Sequence, residues 1–469
     1  MPNDPPTTRI MAEDLPPSPP EPLPFRILMT VVEGPHAGQE FSFSQHDHFI
    51  VGRSSQAHFR LASLDKHISR YHFMVEVNPP QCLLLDLGSR NGTYVNDQKV
   101  RVTAIRNGDL IRAGQTKLQV VIEAASDPSA ALAVKPPPPV KREVTPSAPT
   151  VPMDAPPKLR HLEKCIACNK RIERDWLCST CDAIAKEMPQ PIAAYRALRQ
   201  LGKGAMGTVY LALRLNEPNP ELALVALKVI QPAVTGSKKQ RELFLREVLI
   251  LSELQHPHII GFRDAGEVEN CFYFAMEYLP GMDVMTWVDR HGPLPLNKAM
   301  RLGSQLLQAL AFAHTKGFVH RDIKPANVLM HAYADPAIFK LADFGLARMY
   351  QASKLSGLTL AGDLAGSPAF MAPEQILHPR TVQPPADLYA VAATLYYALT
   401  KKMLYDQVKS VNELFGKVLD EKVHPVPLSE RLPDIPKGLA QLIELNLAKK
   451  PEKRSASAAE FRLGLLAYL

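Results

Sequence analysis

Between Phe25 and about Glu123, apolar residues come in short runs separated by Gly, Asn and Asp turns: FRILMTVVEG, HFIVGR, YHFMVEV, CLLLDLG, GTYVN, DLIRAG and KLQVVIE. Many short strands at roughly 8–12-residue intervals predict a β-sandwich of about 100 residues. From about Ile192, strand signals return in GTVYLALRL and LALVALKVI, and the pattern then turns helical, as in RELFLREVLILSEL. This marks a further unit, strands first and helices after, that runs from about Ile192 to Leu469.

Composition marks the joints between these units. Residues 1–24 carry nine prolines and little that could form a core, which predicts a disordered tail. Residues 124–158 contain the run Pro136–Pro139 and six further prolines, the signature of an extended, semi-stiff linker. A cysteine-bearing module at 159–187 follows, and the C-terminal unit spans 192–469. Over the 469 residues, 54 bases against 47 acids leave a net charge of +7, too diffuse for the basic stripe of a nucleic-acid binder. No run approaches the about 18 apolar residues of a membrane helix, and the N-terminus lacks the apolar stretch of a secretory signal. The expectation is a cytoplasmic protein with neither nucleic acid nor membrane as partner.

Six cysteines are too few for a disulfide framework. Cys82 and Cys271 lie alone in apolar runs, as packing residues do. Cys165, Cys168, Cys178 and Cys181 form C-x2-C-x9-C-x2-C, in which two turns can direct four thiolates at one tetrahedral Zn²⁺. No coordination position is left open, so the expected role is structural: a zinc knuckle serving as a stiff spacer or docking point. An iron site of the same four-sulfur type is the open alternative. A redox C-x-x-C is the weaker reading, because neither pair sits on a βαβ pattern.

Three loop clusters punctuate the first unit: GRSS at 52–55, SRYH at 69–72 and GSRNG at 88–92. A phosphate needs fixed cations and hydroxyl donors. Arg53 and Arg70 can supply the first and Ser69 the second. With DLGSRNGTYVN and NGDLIRAG, these clusters resemble the forkhead-associated (FHA) family across nearly all of residues 25–122. The resemblance implies a phosphothreonine reader in which His72 supports the binding loop and Asn91 holds the ligand main chain.

The C-terminal unit carries LGKGAMGTVY, with Gly202, Gly204 and Gly207 followed by Val209, placed between two strands. That context departs from a dinucleotide fold, where the glycines lead from strand into helix. VALK puts Lys228 on the next strand, and Glu247 follows nineteen residues later. HRDIKPAN (320–327) supplies Asp322, Lys324 and Asn327, and ADFG supplies Asp343. MAPE contains Glu374, ADLY contains Asp387 and PEKR contains Arg454. In order and spacing these resemble the eukaryotic-like protein kinases, most closely bacterial serine/threonine kinases, over residues 192–469.

The resemblance implies a bilobal α+β fold binding ATP and Mg²⁺ (or Mn²⁺). Lys228, positioned by Glu247, would hold the α- and β-phosphates. Asp322 would accept the substrate proton and Lys324 would offset phosphoryl charge. Asn327 and Asp343 would hold the metal. It further places Met276 behind the adenine, makes Glu277 and Leu279 the backbone-bonding hinge, pairs Glu374 with Arg454, and has Asp387 brace the catalytic loop. The slot before APE that the family usually fills with threonine is Ser367, and the family's D-x-Y-S-x-G reads here Asp387, Tyr389, Ala390 and Ala392.

The expectation is a multidomain chain: an all-β FHA sandwich, a zinc knuckle and a serine/threonine protein kinase acting on protein substrates. Its competitor is a pseudokinase or adaptor working mainly through phosphopeptide binding. Arg321 precedes Asp322 and is expected to pair with a phosphate on the activation loop, with Thr359 the preferred site. Thr7 or Thr8 on the tail, once phosphorylated, would be captured in cis by Arg53, Ser69, Arg70 and Asn91, with Thr145 and Thr150 as rivals.

Overall fold

The computed structural model describes residues 25–43, 47–61, 65–78, 81–124, 165, 167, 170–171, 177–188, 190, 192–204, 207–215, 217, 219–230, 248, 252–268, 271–331, 334–344 and 367–469. Among them, the first unit forms eleven strands: β1 (Phe25–Glu33), β2 (Glu40–Phe43), β3 (Asp47–Gly52), β4 (Phe59–Arg60), β5 (Phe73–Asn78), β6 (Gln81–Asp86), β7 (Thr93–Val95), β8 (Gln98–Val100), β9 (Val102–Ile105), β10 (Leu110–Ala113) and β11 (Thr116–Ala124). They build two sheets, ordered β2-β1-β11-β10-β7-β8 and β4-β3-β5-β6-β9. Alternate residues from the two sheets, among them Ile27, Met29, Phe49, Val51, Phe73, Val75, Leu84 and Val120, meet in one core. The short strands β2, β4, β8 and β9 fall outside the apolar runs, since edge strands need little apolar surface.

In the cysteine module, Cys178 is the N-cap of helix α1 (Ser179–Glu187), so Cys181 lies in the helix's first turn. The second C-x-x-C is therefore a helix start and not a second knuckle turn. Polar residues after Cys178 and the alanines of the helix favour that outcome. Helix α1 lies on strand β12 (Tyr195–Gly204): Asp182 pairs with Arg196 at 2.8 Å, and Gln190 accepts from the Ala197 amide at 2.9 Å. Ala185 joins Leu198, Leu211 and Leu213 in an apolar cluster beneath it. The helix of the module thus packs on the sheet that β12 belongs to.

Strands β12, β13 (Gly207–Arg214), β14 (Leu224–Ile230), β15 (Phe262–Val268) and β16 (Cys271–Glu277) make one antiparallel sheet, ordered β12-β13-β14-β16-β15. Cys82 is buried as expected, whereas Cys271, at a strand end, is half-buried. The second lobe begins with the small sheet of β17 (Gly281–Asp283), β18 (Val328–His331) and β19 (Phe339–Leu341). Its main helices are α2 (Val284–His291), α3 (Leu296–Thr315), α4 (Pro373–Leu377), α5 (Pro385–Thr400), α6 (Val411–Leu419), α7 (Lys437–Asn446) and α8 (Ala458–Leu466). Helix α5 is apolar on nearly every face and buried from Ala386 to Leu399, as a helix at the centre of a lobe must be. Ser410 and Ser457 cap α6 and α8 through the amides of Glu413 and Glu460, each an S-x-x-E signature. Among the described residues no helix is long and apolar enough to cross a membrane.

Candidate active site and phosphate-reading site

The cleft between the lobes is built from strand and loop ends. In the β12–β13 hairpin Gly202 pairs with Val209 and Gly204 with Gly207. A Cβ on Gly207 would lie 1.9 Å from the Val229 carbonyl oxygen, so only glycine lets the hairpin lie this close to β14. Lys228, in the centre of β14, extends its Nζ to within 3.0 Å of Asp343 Oδ1. Burial alone would raise the Asp343 carboxyl. The Lys228 ammonium beside it, reinforced by the hydrogen bond and by Lys324, outweighs burial and holds it below its ordinary value. A pocket behind this pair is lined by Phe274, Met276, Leu341 and Phe344. Glu277 at its edge is fixed by Lys340 at 2.6 Å and by the Gly261 amide at 3.1 Å, contacts with no sequence signal. Leu279, two residues on, is buried.

Asp322 is held from two sides: Lys324 Nζ donates to its carboxylate at 2.9 Å, and Asn327 Nδ2 donates to Oδ2 at 2.9 Å. The loop beneath is anchored on buried Asp387, whose carboxylate accepts the amides of His320 and Arg321, each at 2.9 Å. Burial lowers the His320 pKa. Nε2–H donates to the Ala342 carbonyl at 3.0 Å and Nδ1 accepts from the Asp322 amide at 3.2 Å, joining the loop to the segment that carries Asp343. Arg321 and Asp343 both adopt positive φ, 70° and 60°, backbone strain that clusters where a side chain must be aimed. The Arg321 guanidinium donates to the Pro379 and Val382 carbonyls, a set of contacts the expected phosphate pairing did not include. Glu374 and Arg454 form a two-pronged pair at 2.5 and 2.8 Å.

In the sandwich, the GRSS and SRYH loops are laced together: the Arg53 amide donates to Ser69 O at 3.1 Å and the Ser54 amide to Arg70 O at 3.0 Å. His72, its pKa lowered by burial, accepts from the Ser69 amide through Nδ1 and donates from Nε2 to Gly92 O. It therefore ties the second loop to the third. Ser69 Oγ accepts the Arg90 amide at 3.0 Å, and Asn91 Nδ2 donates to His67 O at 2.7 Å. Arg53 and Asn91 are exposed, whereas the Arg70 guanidinium is bound to the carboxylate of Asp420, just past α6. Asp65 has no sequence signal, whereas Asp86 opens the DLGSRNGTYVN motif. Asp65 anchors the His67 and Gln115 amides, and Asp86 anchors Ser89 and Thr93.

The thiol sulfurs of Cys165, Cys178 and Cys181 lie within 4.8 Å of one another. Cys168, Glu247, Thr7, Thr8, Thr145, Thr150 and Thr359 lie outside the described residues.

The protein kinase domain family model matches residues 195–462, more than half of the chain. This chain belongs to the protein kinase family. The FHA domain family model matches residues 49–114 of the same chain. The chain is 33% identical over 278 residues to serine/threonine-protein kinase pkn3 of Myxococcus xanthus, covering 58% of this chain and 49% of that relative. It is 35% identical over 269 residues to serine/threonine-protein kinase PknD of Mycobacterium tuberculosis, covering 57% of this chain and 39% of the relative. A crystal structure of the PknI kinase domain of Mycobacterium tuberculosis aligns over 60% of this chain and 98% of its own, at 29% identity and a TM-score of 0.46. The chain spans about half, or less, of the length of these two curated relatives.

Proposed function

We propose that the chain is a serine/threonine protein kinase whose FHA domain reads phosphothreonine, for substrate recruitment or autoregulation. The observation that carries this reading is the cleft itself. Asp322, steadied by Lys324 and Asn327, belongs to the same scaffold that sets Asp343 against Lys228.

The donors present fit Mg-ATP. Asn327 directs its amide nitrogen to Asp322, which leaves its carbonyl oxygen to join an Asp343 carboxylate oxygen as hard donors for Mg²⁺ or Mn²⁺. When bound, Mg-ATP supplies the γ-phosphoryl group and the cation charge that offsets its oxygens. Asp322 accepts the proton of a serine or threonine hydroxyl, and Lys324 beside it counters phosphoryl charge. Lys228 holds the α- and β-phosphates under the glycine hairpin, with Glu247 as its second carboxylate. Glu277 and Leu279 present backbone groups to the adenine.

In the FHA domain Ser69 Oγ accepts from Arg90, so its own proton can be donated to a phosphate oxygen flanked by Arg53 and Arg70. Asn91 holds the peptide main chain. The three clustered thiols fit a structural Zn²⁺ site with Cys168 as the fourth ligand. Thr359 is the proposed activating phosphosite, and Thr7 or Thr8 the proposed ligands in cis. The test is phosphosite mapping of the purified full chain after incubation with Mg-ATP, beside Asp343→Ala. Phosphoserine and phosphothreonine in the wild type alone support the reading, and an unmodified wild type, alone or with a generic protein substrate, overturns it.

A further inference from the structure

Three strands of the sandwich are apolar at consecutive positions, not alternate ones: Phe49-Ile50-Val51, Phe73-Met74-Val75 and Leu83-Leu84-Leu85. A sheet with one wet face needs only every second residue apolar, and a continuous run marks burial on both faces. Phe49, Val51, Phe73, Val75 and Leu84 fill the sandwich core. Ile50, Met74 and Leu85 point out of the other face, and their exposures are 0%, 0% and 3%. What covers them is the C-terminal lobe of the kinase, with which they form a single apolar cluster.

Polar contacts follow the same boundary. His48 Nε2 donates to the Ile376 carbonyl on α4. The rings of His58 and His378 stand edge to face, 5.2 Å apart. Asn412 of α6 donates to Arg101 O at 3.3 Å. Gly416, also in α6, lies so close that a Cβ there would sit 2.7 Å from Leu87 O. The GSRNG loop lies against the start of the same helix, Gly88 facing the Glu413 backbone at 3.5 Å from its would-be Cβ. At the end of this seam the Arg70 guanidinium pairs with Asp420, both side chains only partly exposed at 25% and 33%.

Two of the three phosphate-reading loops therefore touch the kinase lobe, and a carboxylate occupies one of the cations the reader would use. A phosphothreonine carries a charge of about −1.5 to −2. Placed on Arg70 it would stand beside Asp420, a like-charge contact in a partly desolvated seam. We infer that the kinase lobe is an intramolecular competitor for the FHA domain, with Asp420 standing in for the phosphate, so that a phosphothreonine peptide must displace the lobe to bind. This inference rests on the FHA reading proposed above. Ligand binding would then free the α4–α6 face, and α4 directly follows the end of the activation segment. Because the competitor is tethered, the apparent affinity of the reader falls by the fraction of chains in which it is undocked.

The test titrates the full chain with a fluorescein-labelled peptide library fixed at phosphothreonine, read by anisotropy, with the unphosphorylated library as control. Four proteins are compared: wild type, Asp420→Ala, Gly416→Ala and Arg53→Ala. Asp420→Ala removes the stand-in. Gly416→Ala wedges the seam open without changing charge, so it separates displacement from simple electrostatics, and alanine favours the helix it sits in. Both release variants should bind about three- to tenfold more tightly than wild type. Arg53→Ala should lose binding. Saturating peptide should also enlarge the wild-type radius of gyration in X-ray scattering. Unchanged affinity in Gly416→Ala, with binding still lost in Arg53→Ala, overturns the competition and leaves the FHA reading intact. Absence of phosphate-dependent binding in wild type and both release variants overturns the FHA reading, and the competition with it.

Discussion

Glu76 offers a stability measurement whose sign and size both come from its surroundings. It lies on β5 on the same side as Met74, is 7% exposed, and its Oε2 has no hydrogen-bond partner among the described residues. Burial pushes its pKa from 4.5 up to about 7. The folded protein then keeps Glu76 protonated up to near neutrality, while the unfolded chain ionises it above about pH 4.5. Between these values the unfolded state binds fewer protons, so stability falls as pH rises and levels off above about 7. At about 1.4 kcal/mol for each pH unit, the difference amounts to about 3 kcal/mol, an order-of-magnitude figure. Glu76→Gln removes the titration. Any cost of burying the amide is the same at every pH and cancels in the slope. The assay is native-state hydrogen exchange of the Val75 and Val77 amides at pH values from about 5 to 8. The stability of Glu76→Gln relative to wild type should climb by about 1.4 kcal/mol per pH unit up to about pH 7 and then flatten. A flat or falling difference would show that the carboxyl is solvated and the burial argument is wrong.

Glu374→Ala should cost the C-terminal lobe about 3–5 kcal/mol by urea unfolding, because it leaves the fully buried Arg454 guanidinium without its carboxylate. A loss below about 1 kcal/mol would place the pair among ordinary surface bridges. Purified chain should carry one zinc by elemental analysis, and a strong chelator should remove it and loosen α1 from β12, seen as faster exchange at the Ala197 amide. Zinc-free protein with a protected Ala197 amide would contradict a structural metal.

Seven strands of the sandwich, together with β13 and β14, are legible because their apolar runs are bounded by turn residues, and the reader and cleft residues because their motifs sit at loop ends. Reading the FRILMTVVEG, YHFMVEV and CLLLDLG runs as strands did not require knowing what covers them. The clue to the second buried face, apolar residues at consecutive positions, names no partner, since contact between residues such as Arg70 and Asp420 depends on docking and not on local pattern. Asp65 and Lys340 have no sequence signal for a related reason. Each acts by accepting or donating a specific hydrogen bond across the fold, and isolated charges have no periodicity. The C-x2-C spacing of the second cysteine pair fits a turn and a helix start equally well. The Arg321 guanidinium reaches carbonyls at 379 and 382, positions whose proximity only the tertiary structure reveals.

Asp322 is proposed to orient a hydroxyl for phosphoryl transfer in this cleft. The most direct measurement is the single-turnover rate of phosphoryl transfer from Mg-ATP by the full chain, wild type against Asp322→Ala, with folding of the variant checked by its melting curve. Loss of a positioned base at this step should slow transfer by about 10²–10⁴-fold. A variant that folds normally and retains more than about a tenth of the wild-type rate, against that expected range, would contradict the account.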